Sequence, residues 1–141
     1  MKAQDLAYAI IDFAQRFGRP VSNMLLNKLM FFCAVSNYQH GFGRLIEDAY
    51  FEAWAYGPFI REVYYEMSVY GAEDITEHFD CKTELPEHLQ KTLQKWLPRG
   101  PWVLVRRSHI PNGAWARSYN ERVTLPIREE YIKEEALTYG I

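Results

Sequence analysis

The stretch from Ser22 to His40 constrains this chain most, because it reads as a helix that is apolar over a wide face. Leu25, Leu29, Phe32 and Ser36 recur at helical spacing along one stripe, and Leu26, Met30 and Cys33 form a second stripe beside it. A helix of that kind cannot lie on a surface. It has to be wrapped by the rest of the chain, which predicts a layered helical fold with this element at the centre. Ser22 is a suitable N-cap and Gly41 a suitable stop.

The flanking patterns supply the wrapping. Lys2 to Phe17 carries Leu6, Ile10, Phe13 and Phe17 at spacings of three and four, with Asp5 and Arg16 placed to suit the helix dipole. Ala49 to Tyr56 alternates loosely, with Tyr50, Glu52, Trp54 and Tyr56 on one side, and reads as a short strand. Gly57-Pro58 then breaks the pattern, and Ile60, Val63, Tyr64, Met67 and Tyr70 follow helical spacing up to Gly71. We read Gly57 as a backbone break and Pro58 as the opening of that helix. Residues 72 to 84 are polar and read as loop. Leu85, Leu89, Leu93 and Trp96 define a fourth helix between Pro86 and Pro98, and a short fifth begins at Pro101. After a turn at Pro111-Asn112-Gly113, a short strand is expected over Arg117 to Val123, pairing with the segment before Gly57. A last helix runs from Pro126 to Tyr139, burying Ile127, Tyr131 and residues among Ile132, Ala136 and Leu137. The expected architecture is mainly α: one compact helical domain over residues 1–141, with about six helices and at most a small two-stranded β element.

Composition matters for what it excludes. With 48% hydrophobic residues in 141, the chain can bury a substantial core without disulfides or metal, and its two cysteines, Cys33 and Cys81, make no disulfide framework. No apolar run is long enough for a membrane span and the N-terminus lacks a signal-peptide pattern, so a cytoplasmic location is expected. The formal net charge of −2 conceals a segregation. Residues 47 to 80 hold nine acids and one base, whereas residues 91 to 122 hold seven bases and one acid. Either the two segments complement each other on one surface, or one of them meets a charged partner.

Chemistry-bearing patterns are sparse. His78, Asp80 and Cys81, with His88 further on, form one ligand-like cluster without the second that a structural zinc site needs, so no metal and no cofactor is expected. Phosphate-binding glycine loops and nucleophile-elbow motifs do not occur. His109 could pair in space with Ser108, Ser118, Tyr119 or Cys33, but any chain of this length offers such pieces, and no catalytic residue is assigned. The bases of residues 91–122, interleaved with Trp96, Trp102, Trp115 and Tyr119, offer a nucleic-acid alternative that the net acidity disfavours.

Several stretches line up with one family. Ser22 to Phe32, with Lys28 inside it, resembles the opening helix of Panacea domains; Asn27 stands where that family often has glutamine. The run Glu52-Ala53-Trp54-Ala55-Tyr56-Gly57-Pro58, continued by Val63 and Tyr64, resembles their most specific signature. Ser108-His109 followed by Trp115 is similar to a third segment, and Ile127 to Ile132 to a closing one. The resemblance implies a mainly helical domain of SocA-like antitoxins and phage-associated proteins. These neutralise a cognate toxin protein by direct binding or by delivering it to a protease; a phage accessory or counter-defence role is the alternative. It implies no enzymatic activity. Lys28, Glu52, Trp54, Tyr56, Gly57, Pro58, Val63, Tyr64, His109 and Trp115 are then signature positions of scaffold or interface. Glu62, Glu66, Glu73 and Asp74 on the acidic segment, and Arg99, Arg106, Arg107 and Arg117 on the basic one, are the candidate partner-binding charges.

Overall fold

A computed structural model describes residues 1–141. The elements follow in the order α1 (Ala3–Arg16), α2 (Asn23–Gln39), β1 (Glu52–Trp54), β2 (Gly57–Phe59), α3 (Arg61–Met67), α4 (Glu87–Trp96), α5 (Pro101–Ser108), α6 (Ala114–Ser118) and α7 (Glu129–Thr138). A single 3-10 turn, Ser68–Tyr70, prolongs α3. The protein is mainly α, with seven helices and one two-stranded antiparallel sheet. None of the helices is long and apolar enough to cross a membrane.

Helix α2 is the axle. Every residue from Leu26 to Asn37 is buried, and α1, α3, α4, α5, α7 and β2 all pack against it. Ser22 caps it as its sequence predicts, its Oγ accepting from the Leu25 amide at 3.3 Å. Alanines 3, 7 and 14 bring α1 close on one side, beside Leu6, Ile10 and Ile11. Phe31 meets Phe51 edge-on at 5.4 Å, and Phe32 packs on Trp96 at 4.8 Å. Where α2 turns polar, α4 answers it: Thr92 Oγ1 donates to Ser36 Oγ at 2.9 Å, and His88 Nε2 lies 2.8 Å from Asn37 Oδ1. Each of these buried polar groups thereby finds a partner.

Several local expectations need correction. Phe17 lies beyond α1 and is exposed, so the buried stripe of that helix is built on alanines, Leu6, Ile10 and Ile11 instead. Gly57 and Pro58 do not open a helix. They form β2, and Ala53 faces Pro58 in the register Glu52↔Phe59, Ala53↔Pro58, Trp54↔Gly57. Proline is tolerated there because Ala53 turns its own N–H away, to Leu125 O at 2.9 Å, so that pair exchanges no ladder bond and the missing N–H of Pro58 costs nothing. The partner on the far side of β1 is residues 125–127 rather than Arg117 to Val123: Glu52 bridges Pro126 and the Ile127 amide donates to Phe51 O at 2.7 Å. Part of the expected strand is α6, which follows a turn where Asn112 takes φ 64°. Helix α7 starts at Glu129, and of the residues expected inside, Leu137 is exposed and Tyr131 half-buried.

A candidate site beneath and beside the hairpin

The hairpin is fastened to α2 by asparagines. Asn27 Oδ1 accepts the Ile60 amide at 3.0 Å, Asn27 Nδ2 donates to Asn23 Oδ1 at 3.1 Å, and Asn23 Nδ2 donates to Tyr64 O at 2.9 Å. One turn of α2 thereby fixes both the exit of β2 and the first turns of α3. Two asparagines four residues apart inside an apolar helix were the available signal for this clamp.

Beneath the hairpin lies Lys28, 0% exposed, with an Nζ that has no hydrogen-bond partner. Its ammonium sits 4.7 Å from the centroid of Phe59. Burial lowers its pKa from 10.5 to about 8. A Cβ added to Gly57 would lie 3.1 Å from Lys28 Nζ and 3.1 Å from Ser108 Oγ, so the backbone of β2 rests directly on these two groups. Gly57 also has φ 127°, which a side chain makes costly.

His109 closes the cluster. Its ring stacks on Trp115 at 3.6 Å with 2° between planes, and Trp115 stacks in turn on Tyr119 at 4.7 Å. Trp115 Nε1 donates to Trp54 O at 2.7 Å and so ties α6 to the end of β1. His109 Nε2 is buried without a partner; burial lowers the pKa of the ring, the charge of Lys28 lowers it further, and the main chain of Tyr56 opposes both. Burial is the leading cause for both groups, and no carboxylate opposes it.

Trp54 stacks on Phe59 at 4.9 Å and meets Tyr64 edge-on at 4.8 Å. Its Nε1 donates to Glu52 Oε1 at 2.9 Å, and Glu52 pairs with Arg61 at 2.8 Å. Burial pushes the Glu52 carboxyl up, but the hydrogen bonds from Arg61 and Trp54 and the Arg61 charge outweigh it and hold the pKa below the usual value. Beside this wall runs a groove of about 390 Å³, bordered by Asn23 and Met24 of α2, by Tyr56 at the hairpin tip, and by Gly71 and Ala72. Tyr56 is 63% exposed. Val63, by contrast, points into the core.

Lys28, Trp54, Tyr56, Gly57, His109 and Trp115 are thus brought to one place, with Phe59 and Ser108, from segments more than eighty residues apart. The candidate charges divide. Arg107 is turned inward: it donates to Glu135 Oε2 at 2.9 Å and to Gly140 O, while Glu135 Oε1 accepts the Ala114 amide at 2.7 Å. Arg117 pairs with Glu134 and lies 3.8 Å over Tyr131, and Arg99 lies 4.8 Å from the ring centroid of Trp96. Arg106 is exposed and makes no ion pair. Glu66 accepts from Tyr8 and Gln4, whereas Glu62, Glu73 and Asp74 are exposed with no ion pair.

Comparison with known proteins gives one match. The family model described as "Antitoxin SocA-like, Panacea domain" covers residues 26–97, from the axle helix through the hairpin and α3 to the end of α4. No curated protein and no solved structure matches the chain. With just over half of its length matched, and Asn27, Lys28 and the whole hairpin inside the matched part, the chain belongs to the SocA-like antitoxin, Panacea-domain family.

Proposed function

We propose that this protein neutralises a toxin protein by binding it directly, without a chemical step of its own. Family membership supports the antitoxin class. The observation that carries direct binding is the exposed acid left unmatched on the segment after the hairpin. In the second segment Lys91, Arg107 and Arg117 are matched within the fold by Glu87, Glu135 and Glu134, while Lys95, Arg99, Arg106 and Arg122 make no ion pair. The acids Glu62, Glu73 and Asp74, which follow the hairpin, have no counter-ion in the chain. Unmatched surface charge of one sign raises the association rate with an oppositely charged partner and selects against like-charged ones.

The test is growth rescue by co-expression with a toxin encoded beside its gene, followed by inhibition of the purified toxin by the purified protein alone. Rescue together with inhibition supports direct binding. Rescue that needs an added protease points to delivery for degradation. Rescue by neither route removes the antitoxin reading.

A further inference from the structure

The groove beside the hairpin has the makings of a docking seat. Its walls are aromatic and small: Trp54, Tyr56, Phe59 and Tyr64 on one side, Gly71 and Ala72 on the other. At about 390 Å³ it is at the small end of sites that enclose a ligand, with room for one or two side chains and not for a helix. Its walls are fixed in advance, since the asparagine clamp, the Trp54–Phe59 stack and the Trp115 bond to Trp54 O hold the hairpin. A prearranged seat of this kind loses little freedom when filled.

The rim decides what fills it. The exposed cation near the hairpin end, Arg61, is already balanced by Glu52. At the opposite end, Ala72 is followed by Glu73, exposed and without an ion pair, while Asp74 borders a separate cleft with Arg19 and Arg99. We propose that this groove seats a segment of a partner protein that presents one large apolar or aromatic side chain with lysine or arginine directly beside it: the ring enters between Tyr56, Tyr64 and Ala72, and the cation meets Glu73. Buried aromatic anchors of that type supply most of the energy of protein interfaces, and the flanking charges set rate and selectivity. The inference rests on the direct-binding reading and names its face.

The experiment titrates the isotope-labelled protein, followed by amide NMR, with three blocked peptides: phenylalanine followed by two lysines, phenylalanine followed by two glutamates, and alanine followed by two lysines. The expected result is shifts at Tyr56, Tyr64, Gly71 and Ala72 with the first peptide only, weakened by salt. Ala72→Trp, which fills the groove, and the charge reversal Glu73→Lys should each weaken that binding about tenfold, with unchanged melting temperature. Both positions are exposed, so these variants keep the fold. Equal shifts from the glutamate peptide, shifts centred on α4 and α5, or no shift at millimolar peptide overturn the proposal. Toxin neutralisation that persists when the peptide fails, or in the Ala72→Trp variant, removes the groove and leaves the antitoxin reading standing. Peptide binding without neutralisation does the reverse.

Discussion

Replacing Lys28 by methionine should stabilise this protein, although a fully buried side chain is being changed. The two side chains are close in length, so no cavity is left. The fall of the lysine pKa from 10.5 to about 8 corresponds, at about 1.4 kcal/mol per pH unit, to about 3 kcal/mol by which the fold disfavours the ammonium. Against this stands the attraction of the Phe59 ring at 4.7 Å, worth up to about 2 kcal/mol when desolvated. The net gain at pH 7 is about 1 to 3 kcal/mol, or roughly 3 to 10 °C in melting temperature for a chain of 141 residues. The pH dependence identifies the cause. With the folded value below the unfolded one, the unfolded chain binds more protons between pH 8 and 10.5, so wild-type stability rises with pH across that window. The methionine variant lacks this gain, and its advantage should shrink by about 2 kcal/mol between pH 7 and pH 10. Parallel urea titrations at the two pH values measure it, and taking the difference between proteins cancels the titration of shared tyrosines. A variant less stable than wild type at pH 7, or an advantage that does not change with pH, would refute the account of Lys28 as an unpaired buried cation.

Other perturbations separate the parts of the fold. Glu135→Ala strands the Arg107 guanidinium and the Ala114 amide together, and denaturant unfolding should show a loss of about 3 to 5 kcal/mol; a loss under about 1 kcal/mol contradicts the role given to this pair. Gly113→Ala places a methyl 2.5 Å from Ile110 Cγ2 and 2.6 Å from Glu135 Oε1, so its melting temperature should fall by several degrees, while Gly100→Ala, with open space around it, should change little. Trp115→Phe removes the donor to Trp54 O and should cost about 1 kcal/mol, read as a lower urea midpoint at unchanged slope. For His109 the folded pKa is depressed below 6.5, so stability is present above that value and is lost as pH falls through 6.5 toward the folded pKa. His109→Gln should flatten the acid limb of the stability profile, and an unchanged limb would assign it to other groups.

What was legible in the sequence were the features that repeat. The axle helix, α4 and α5 announce themselves through apolar spacing, the serine cap and the proline starts. The hairpin is not legible because the same two residues serve either structure. Gly57-Pro58 looks like a helix entry, and only the direction of the Ala53 N–H, which depends on Leu125, makes a strand proline acceptable. Pro126 resembles a helix start in the same way, whereas it bridges Glu52. Lys28 and His109 lie eighty-one positions apart and meet only through the turn of the chain around α2, so no local pattern could join them. The family resemblance singled out both residues without saying that they share a site. Equally invisible were the internal commitments of Arg107 and Arg117, since a count of charges does not tell which are already matched by α7.

The enclosure of α2 also limits how this architecture can diversify. Between Leu26 and Asn37 the helix has no residue that can change without disturbing a neighbouring element, so it offers nothing to a partner and little freedom to mutation. The hairpin tip, the turn after α3 and the outward faces of α4 and α5 answer to solvent alone. A change of binding partner has to be written into that outer shell, where substitutions away from caps and buried pairs shift stability by no more than about 0.5 kcal/mol. The axle preserves the fold while the rim is free to acquire a new specificity.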